Sequence, residues 1–308
     1  MDNLELVLSR EEKAAFRLRA LYGKYGYAQY KMSKFEEYDL YVKNKDFLVS
    51  DNVITFTDTD GKLMALKPDV TLSIIKNSKD LACGLTKVYY NENVYRVSKG
   101  TKSYKELMQV GLECFGAIDT NAVSEVLVLA AESLESISPS YVLDVSSLDV
   151  AKGIMDDAGI SYEAEKEILS FLAEKNAQGV KLVCEREGVD KQGAEKILKL
   201  VTVYGAPEKV MNELKSLKVS DKTLKAIEDF ALILDILKEK GVENVNVDFS
   251  VVNNMKYYNG IVFKGFIEGI PTGILSGGQY DKLMEKMGKK SRAIGFAVYL
   301  DELTKLEK

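Results

Sequence analysis

The chain has 308 residues, enough for one large domain or for one domain with a smaller appendage. Hydrophobic residues make up 46% of it and charged residues 29%, with only 4 prolines, a composition that argues against disorder and low complexity. The net charge is −5 and the basic residues are dispersed. Because nucleic-acid binders gain most of their affinity by neutralising phosphates, this charge disfavours a nucleic acid as partner.

The N-terminus, MDNLELVLSREEK, is acidic and lacks an apolar core of signal-peptide length. No run approaches the roughly 18 apolar residues of a membrane span. We therefore expect a cytoplasmic protein with no membrane partner. The cysteines, Cys83, Cys114 and Cys184, have no C-x-x-C spacing and are expected to be reduced, buried thiols.

One residue type is missing altogether, because the chain contains no histidine. This excludes Ser-His and Cys-His nucleophilic catalysis, imidazole metal ligands and imidazole proton shuttles. The G-x-x-x-x-G-K-[ST] and G-x-G-x-x-G nucleotide-binding patterns are also missing from the sequence. No metal site and no cofactor are predicted.

The first part of the chain is predicted to mix helices and strands. Ser33 is a plausible N-cap with Glu36 in the capping-box position, and Pro68 favours a helix start directly after it. The turn at 58–61 is expected to join VITFTD and KLMALK as a hairpin. In chain order the pattern predicts helices over 10–24, from about Ser33, over 69–79 and over 121–138, with long strands over 86–97 and 104–115.

From Ser147 to Glu239 the pattern is almost continuously helical, with breaks at Gly159, Gly188 and Pro207. Strand character then returns, and the predicted strands are 245–249, 257–266, 272–278 and 291–300, followed by a short terminal helix. This order is typical of an α+β fold with an antiparallel sheet, because a parallel sheet needs helical crossovers between its strands. We expect a core formed by 1–146 and 241–308, with a helical insertion at 147–240.

Two short segments place ligand-type side chains on strands or at helix starts. Asp69 and Thr71 in KPDVT follow a strand at a helix N-terminus, where backbone N–H groups and the helix dipole favour an acceptor; a simple N-cap would look the same. In QVGLE, strand alternation puts Gln109, Gly111 and Glu113 on one face. A carboxamide and a carboxylate beside a position without a side chain could hold a ligand ammonium, although alternate polar residues also mark a solvated face.

Two later segments add aromatic groups and glycines. Tyr257 and Tyr258 offer phenol oxygens and ring faces, or ordinary aromatic packing at a strand start. In LSGGQYDKL, Gly278 would allow a ligand to approach the backbone closely, or it marks a turn. Each segment alone is weak support for a site.

Their joint order is more specific. The segments FTDTDGKLMALKPDVT, VYRVSKG, SYKELMQVGLECFG, NNMKYYNGIVF, SGGQYDKL and AIGFAVYLDEL resemble the catalytic domain of histidyl-tRNA synthetases over nearly the whole chain. The resemblance implies the class II aminoacyl-tRNA synthetase fold. It implies a histidine pocket, with Gln109 and Glu113 on the α-amino group, completed by Asp69, Thr71, Tyr257, Tyr258 and Gly278. Arg96 matches the arginine that contacts the ATP α-phosphate, and is a candidate phosphate contact.

The departures from the synthetase pattern concern its chemistry. Where the synthetases read R-G-L-D, this chain begins with Asn253, which cannot stabilise a developing phosphate charge as a guanidinium does. Ser98 replaces an acid, and Glu302 replaces an arginine that packs on ATP, where its charge is expected to repel a nucleotide. Only eight residues follow Leu300, so no anticodon-binding domain and no tRNA partner are expected.

A pocket that keeps its amino-acid ligands and loses its ATP arginines resembles the regulatory subunits of short-form ATP phosphoribosyltransferase, and the K-P-D-x-T wording fits that group better than R-P-E-G-T. The resemblance implies a non-catalytic subunit of histidine biosynthesis that dimerises and joins the catalytic subunit in a hetero-octamer. That subunit would be required for activity and for feedback inhibition by histidine. A true histidyl-tRNA synthetase and a free-standing amino-acid-binding paralogue are the alternatives, and an ancestral pocket need not be the effector site.

Overall fold

We describe the fold from a computed structural model, which covers residues 7–48, 53–80, 83–98, 101–252 and 258–306. The described strands are β1 (Ala28–Gln29), β2 (Phe35–Glu37), β3 (Thr55–Thr57), β4 (Leu63–Leu66), β5 (Leu85–Val97), β6 (Tyr104–Gly116), β7 (Tyr141–Ser147), β8 (Tyr204–Gly205), β9 (Val245–Asp248), β10 (Asn259–Ile267), β11 (Leu275–Gln279) and β12 (Arg292–Tyr299). They form a nine-stranded sheet, in the order β1-β5-β6-β12-β11-β10-β7-β9-β8, and a three-stranded sheet, in the order β2-β4-β3.

Helices flank and interrupt these strands. Within the part of the chain that the structure describes, the α-helices are α1 (Arg10–Lys24), α2 (Tyr38–Lys43), α3 (Val70–Asn77), α4 (Thr120–Ile137), α5 (Leu148–Asp157), α6 (Tyr162–Ala173), α7 (Ala177–Arg186), α8 (Lys191–Thr202), α9 (Pro207–Lys215), α10 (Asp221–Glu239) and α11 (Asp281–Lys286). Two short 3-10 helices cover Lys45–Phe47 and Leu300–Lys305. Among the helices of the described residues, none has the length and apolar character that crossing a bilayer requires.

The middle of the large sheet is antiparallel, as predicted. Every pair from β5 through β6, β12, β11 and β10 to β7 runs antiparallel, whereas β1 pairs with β5 and β7 pairs with β9 in parallel. The parallel pair β7–β9 is bridged by the helical segment α5 to α10, which supplies the crossover that such a pair needs. The sheet therefore has an antiparallel centre with parallel pairs at or near its ends.

One face of this sheet is covered by α4. Its side chains Val126, Leu127 and Leu129 are fully buried and belong to the same apolar cluster as Leu112 of β6 and Phe263 of β10. Because strand side chains alternate between faces, burying Leu112 turns its neighbours on β6 to the opposite face of the sheet. That opposite face carries the candidate site.

The helical segment from α5 to α10 breaks at the predicted residues. Gly159 and Gly188 follow α5 and α7 with φ of +75° and +71°, and Pro207 is the first residue of α9. Glycine adopts positive φ without a Cβ clash, so it ends these helices. Ile154 and Ile227 of this segment share one cluster of buried side chains with the sheet. The division at 146/147 and 240/241 stays a prediction.

Most of the predicted elements are confirmed, and the helix predicted from Ser33 starts in the wrong place. Residues Phe35–Glu37 form β2 against β4, and α2 begins only at Tyr38. Glu36 does not cap a helix, because its carboxylate accepts hydrogen bonds from Ser73 and Lys76. Sheet pairing and this tertiary contact override the capping pattern.

Two further expectations need correction. Cys83 is exposed, whereas Cys114 and Cys184 are buried thiols as predicted. Strand β7 was not predicted. Its sequence, YVLDVSS, runs directly into α5, and the Ser147 side chain caps that helix by accepting a hydrogen bond from the backbone N–H of Val150 at 3.3 Å. Yet Leu143 and Val145 of β7 are completely buried, which makes β7 an inner strand of the core.

The burial of β7 gives a stability prediction. Leu143→Ala is expected to lower the free energy of unfolding by about 2–5 kcal/mol, because it leaves a cavity at a fully buried position. Leu232→Ala, at a position 50% exposed on α10, is the matched control and should change it by under about 0.5 kcal/mol. Urea unfolding followed by circular dichroism measures both. Equal losses would contradict the central position of β7.

Candidate functional site

The candidate site lies on the sheet face opposite α4, where β6 and β12 run side by side. Their register defines three successive levels along the strands. The cross-strand partners at these levels are Glu113 and Gly295, Gly111 and Ala297, and Gln109 and Tyr299. Gln109, Gly111 and Glu113 therefore share a face as predicted, and Gln109 and Glu113 are only 3% and 2% exposed. The alternative of a solvated face is wrong.

Two glycines make room for larger side chains on this face. A Cβ at Gly295 would overlap a carboxylate oxygen of Glu113, and a Cβ at Gly111 would overlap the Tyr90 hydroxyl. Both glycines have ordinary negative φ, so space rather than backbone conformation requires them. The predicted gap at Gly111 is thus already filled by the Tyr90 phenol.

Glu113 is a buried acid of the site with a strongly raised pKa. Its Oε1 accepts a hydrogen bond from Thr71 Oγ1 and its Oε2 accepts one from the Tyr280 hydroxyl, each 2.6 Å long. Burial raises the pKa of Glu113 to about 8, the negative charge of Asp69 raises it further, and the two hydrogen bonds act against the rise. This shift favours the protonated carboxyl at neutral pH, and a ligand cation beside it would favour ionisation.

Asp69 and Thr71 reach the site from the N-terminus of α3. Asp69 is the N-cap, since its Oδ1 accepts a hydrogen bond from the backbone N–H of Leu72 at 2.9 Å. Burial raises the pKa of Asp69, while the backbone hydrogen bonds and the charge of Arg96 oppose the rise. The simple N-cap interpretation is correct for Asp69. The same residue also lines the cavity.

Gln109 brings an unsatisfied donor to the site. Its side chain lines the cavity, and its Nε2 has no hydrogen-bond partner among the described residues. Leaving a buried donor unpaired costs about 1–3 kcal/mol, so such atoms in native proteins call for an explanation. A ligand that offers an acceptor at this point would satisfy it.

The structure brings Tyr258 to the cavity, whereas Tyr257 lies outside the described residues. Gly278 does not line the cavity. A Cβ there would lie 2.7 Å from Cδ1 of the Tyr258 ring, so Gly278 makes room for that ring. Its expected role of admitting a ligand to the backbone is replaced by this packing role.

Sequence reasoning missed several lining residues. They are Phe47, Val70, Tyr90, Ser276, Tyr280, Gly295, Phe296, Ala297 and Tyr299. Large aromatic residues on strands look like core residues in a sequence, which is why Tyr90 and Tyr299 gave no signal. The alternation that placed Gln109 and Glu113 would have found Tyr299, had the partner strand and its register been known.

Arg96 is the cationic side chain of the cavity lining. Its Nε donates to the backbone carbonyl of Pro68 at 3.1 Å, and within the described part of the chain it has no ion pair. Glu302 does not line the cavity. Its carboxylate accepts hydrogen bonds from Thr272 and Lys305, so repulsion of a nucleotide by Glu302 has no geometric basis there.

Of the other two positions that depart from the synthetase pattern, the structure describes only Ser98. Asn253 lies outside the described residues. Ser98 sits at the end of the β5–β6 hairpin, where its N–H donates to the carbonyl of Ser103 at 2.9 Å. No group of three or more described Asp, Glu or Cys side chains is arranged to hold a metal ion. The site thus offers ammonium acceptors, hydroxyl groups and one guanidinium.

The family model described as Histidyl-tRNA synthetase matches residues 2–303. The chain belongs to that family. A relative named ATP phosphoribosyltransferase regulatory subunit, from Acetivibrio thermocellus, is 28% identical over 289 residues, which are 92% of this chain and 69% of the relative. The predicted resemblance to this group is confirmed.

Solved structures of family members show the same fold. The crystal structure of an ATP phosphoribosyltransferase regulatory subunit/histidyl-tRNA synthetase from Bacillus halodurans matches with a TM-score of 0.84 at 22% identity, over 97% of this chain and 79% of that one. A chain of the ATP phosphoribosyl transferase (HisG:HisZ) complex from Thermotoga maritima matches with a TM-score of 0.70 at 18% identity, over 93% and 96%. The predicted class II synthetase-like fold is confirmed.

The perturbed acid of this family member gives a pH prediction. The folded pKa of Glu113, about 8, lies above its ordinary value of 4.5. Its contribution to stability is therefore present below pH 4.5 and is lost as pH rises through 8. Glu113→Gln mimics the protonated acid, so from pH 5 to pH 8 its stability should rise relative to the unmodified protein by roughly 2–4 kcal/mol.

Urea unfolding at the two pH values measures this difference. Glu228→Gln, at an exposed position of α10, is the control and should show no such trend. A constant difference between the Glu113→Gln variant and the unmodified protein across this range would contradict the burial of an ionisable Glu113.

Proposed function

We propose that this chain is a regulatory subunit of ATP phosphoribosyltransferase that does no chemistry of its own. It is required for the activity of a separate short catalytic subunit and for feedback inhibition of histidine biosynthesis by histidine. The observation that carries this proposal is the shared name of the relatives, since eight of them, 26–29% identical over 92–97% of this chain, are called ATP phosphoribosyltransferase regulatory subunit.

The chemistry of the site supports a free amino acid as the ligand. Glu113 and Asp69 supply carboxylates for an ammonium, and Thr71 orients the Glu113 carboxyl from α3. Gln109 offers its unpaired amide to an acceptor of the ligand. Tyr258 supplies a ring face and a hydroxyl for the imidazole. In this assignment Glu113 becomes ionised when the ligand ammonium arrives.

The residues available for catalysis support the absence of chemistry. The chain has no histidine, so no imidazole can activate a hydroxyl or a thiol as a nucleophile. Asn253, in place of an arginine, removes a guanidinium that would stabilise phosphate charge. Arg96 stays a candidate phosphate contact.

The partner in this proposal is the short catalytic subunit. The chain resembles a component of the ATP phosphoribosyl transferase complex of Thermotoga maritima in fold, which supports such an assembly. We propose a dimer of this chain within a cytoplasmic hetero-octamer that binds no tRNA. Histidine regulates it by linkage, because an effector that binds one arrangement of the complex more tightly shifts the population toward that arrangement.

Reconstitution tests the proposal. Adding the chain to a short catalytic subunit should stimulate the condensation of ATP with phosphoribosyl pyrophosphate, and histidine should inhibit the stimulated reaction. Glu113→Gln should raise the histidine concentration for half-inhibition by about tenfold or more, since a charge-assisted hydrogen bond to the ammonium is lost. Glu228→Gln is the control. Stimulation with unaltered histidine inhibition in Glu113→Gln would place the effector elsewhere.

The family description favours one alternative, a working histidyl-tRNA synthetase. That enzyme would form histidyl adenylate, so the purified chain would exchange pyrophosphate into ATP in the presence of histidine. We expect no exchange above a protein-free blank, measured with labelled pyrophosphate beside a true synthetase as positive control. Exchange would overturn the proposal, whereas neither exchange nor stimulation would favour a free-standing amino-acid-binding paralogue.

A further inference from the structure

The size of the side chains on the site's face of the sheet changes from one level of the strands to the next. From Glu113, the next residues on the same face of β6 and β12 are Gly111 and Ala297, which carry at most a methyl group. On β11 the corresponding face carries Gly278 and Ser276, because Gly278 pairs with Gly295 and Ser276 with Ala297. Small residues thus follow the acid along this face of the sheet. The space above two of them is taken by neighbouring side chains, the Tyr90 phenol at Gly111 and the Tyr258 ring at Gly278.

Tyr299 is the first large residue beyond Ala297 on this face of β12. It lies one level beyond Ala297, directly across from Gln109, and its ring lines the cavity. Arg96 lies two levels further along the same face, since Arg96 pairs with Lys105 and Glu92 with Gln109 on the neighbouring β5. Along the strands, the level of Tyr299 and Gln109 therefore lies between the levels of Glu113 and Arg96, with Arg96 on β5 and Tyr299 on β12 on the two sides of β6.

The Tyr299 side chain is held in place. Its backbone N–H donates to the carbonyl of Ile274 at 2.7 Å, which fixes the strand beside β11. Burial raises the pKa of Tyr299, while Arg96 and a hydrogen bond with Ser276 oppose the rise. Burial likewise raises the pKa values of Tyr258 and Tyr90, with Tyr299 as a smaller cause in each case. The Tyr299 side chain is thus close to Arg96, Ser276 and the other two tyrosines.

The remaining space is small. The cavity holds about 60 Å³, well below the roughly 300–1,000 Å³ of pockets that enclose drug-sized ligands. A ligand that began at Glu113 and carried a phosphate to Arg96 would have to pass the level of the sheet at which Tyr299 and Gln109 face each other.

We propose that Tyr299 is the size-determining residue of this site, so that the site takes one free amino acid and excludes an amino acid joined to a nucleotide. The proposal rests on the proposed function, because it assumes that histidine enters beside Glu113. In this proposal the bulk of the Tyr299 ring excludes the nucleotide-linked amino acid. Neither Glu302 nor the charge of the site is responsible for the exclusion.

Calorimetric titration with two probes tests it: histidine, and a nonhydrolysable sulfamoyl analogue of histidyl adenylate. The unmodified chain should bind histidine and should bind the analogue at least about tenfold more weakly. Tyr299→Gly and Tyr299→Val should bind the analogue at least about tenfold more tightly than the unmodified chain does and still bind histidine. Val suits a strand and protects the test if the Gly variant misfolds. Tyr299→Phe, which keeps the ring, should still exclude the analogue.

The outcomes separate this proposal from the proposed function. Equal binding of both probes by the unmodified chain would overturn the size limit. So would a Tyr299→Val variant that binds histidine and still excludes the analogue. If no variant binds histidine, the effector assignment fails together with the size limit. Histidine binding by Tyr299→Gly and not by the unmodified chain would show that the ring blocks the free amino acid itself, which would also contradict the proposal.

Discussion

The structure of the site depends on one buried carboxyl group. Glu113 lies in the C-terminal half of β6 and accepts hydrogen bonds from Thr71 at the start of α3 and from Tyr280 just before α11. One side chain thus joins three elements that are far apart in the sequence. Gly295 on the adjacent strand has to lack a side chain for the carboxyl to fit. Changing any of these residues would move the others.

This arrangement has an energetic consequence. Burying a carboxyl without a counter-charge favours its protonated form, and each unit of pKa shift corresponds to about 1.4 kcal/mol between the two protonation states. A protein selected for stability alone would place an apolar or amide side chain here. Keeping an acid in such a place, next to an unpaired Gln109 amide, is typical of a binding site that is completed by its ligand.

Local patterns in the sequence predicted those parts of the fold that depend on near neighbours. Alternation placed Gln109 and Glu113 on one face, and Pro68 with Asp69 marked the start of α3. The hairpin of β3 and β4 followed from its turn. What sequence could not supply was pairing between distant segments. Strand β7 was missed because its seven residues run straight into a helix, with no intervening loop to mark where the strand ends.

The same limit applied to the functional residues. Tyr299 and Tyr90 looked like core aromatics, and only the register of β12, β6 and β5 shows that they meet at the site. Glu302 was expected to act on a nucleotide, but the 3-10 helix after β12 directs it to Thr272 and Lys305. The geometry therefore gives Glu302 a local hydrogen-bonding role away from the cavity.

The central claim is that Glu113 is the ammonium-binding group of a site for free histidine, and calorimetry tests it most directly. Histidine is titrated into the protein at pH 7 in two buffers of different ionisation enthalpy, which gives the number of protons exchanged on binding. With a pKa of about 8 in the empty site, Glu113 should release up to one proton per histidine bound, and Glu113→Gln should abolish that release. Binding without proton release, or the same release in Glu113→Gln, would contradict the account.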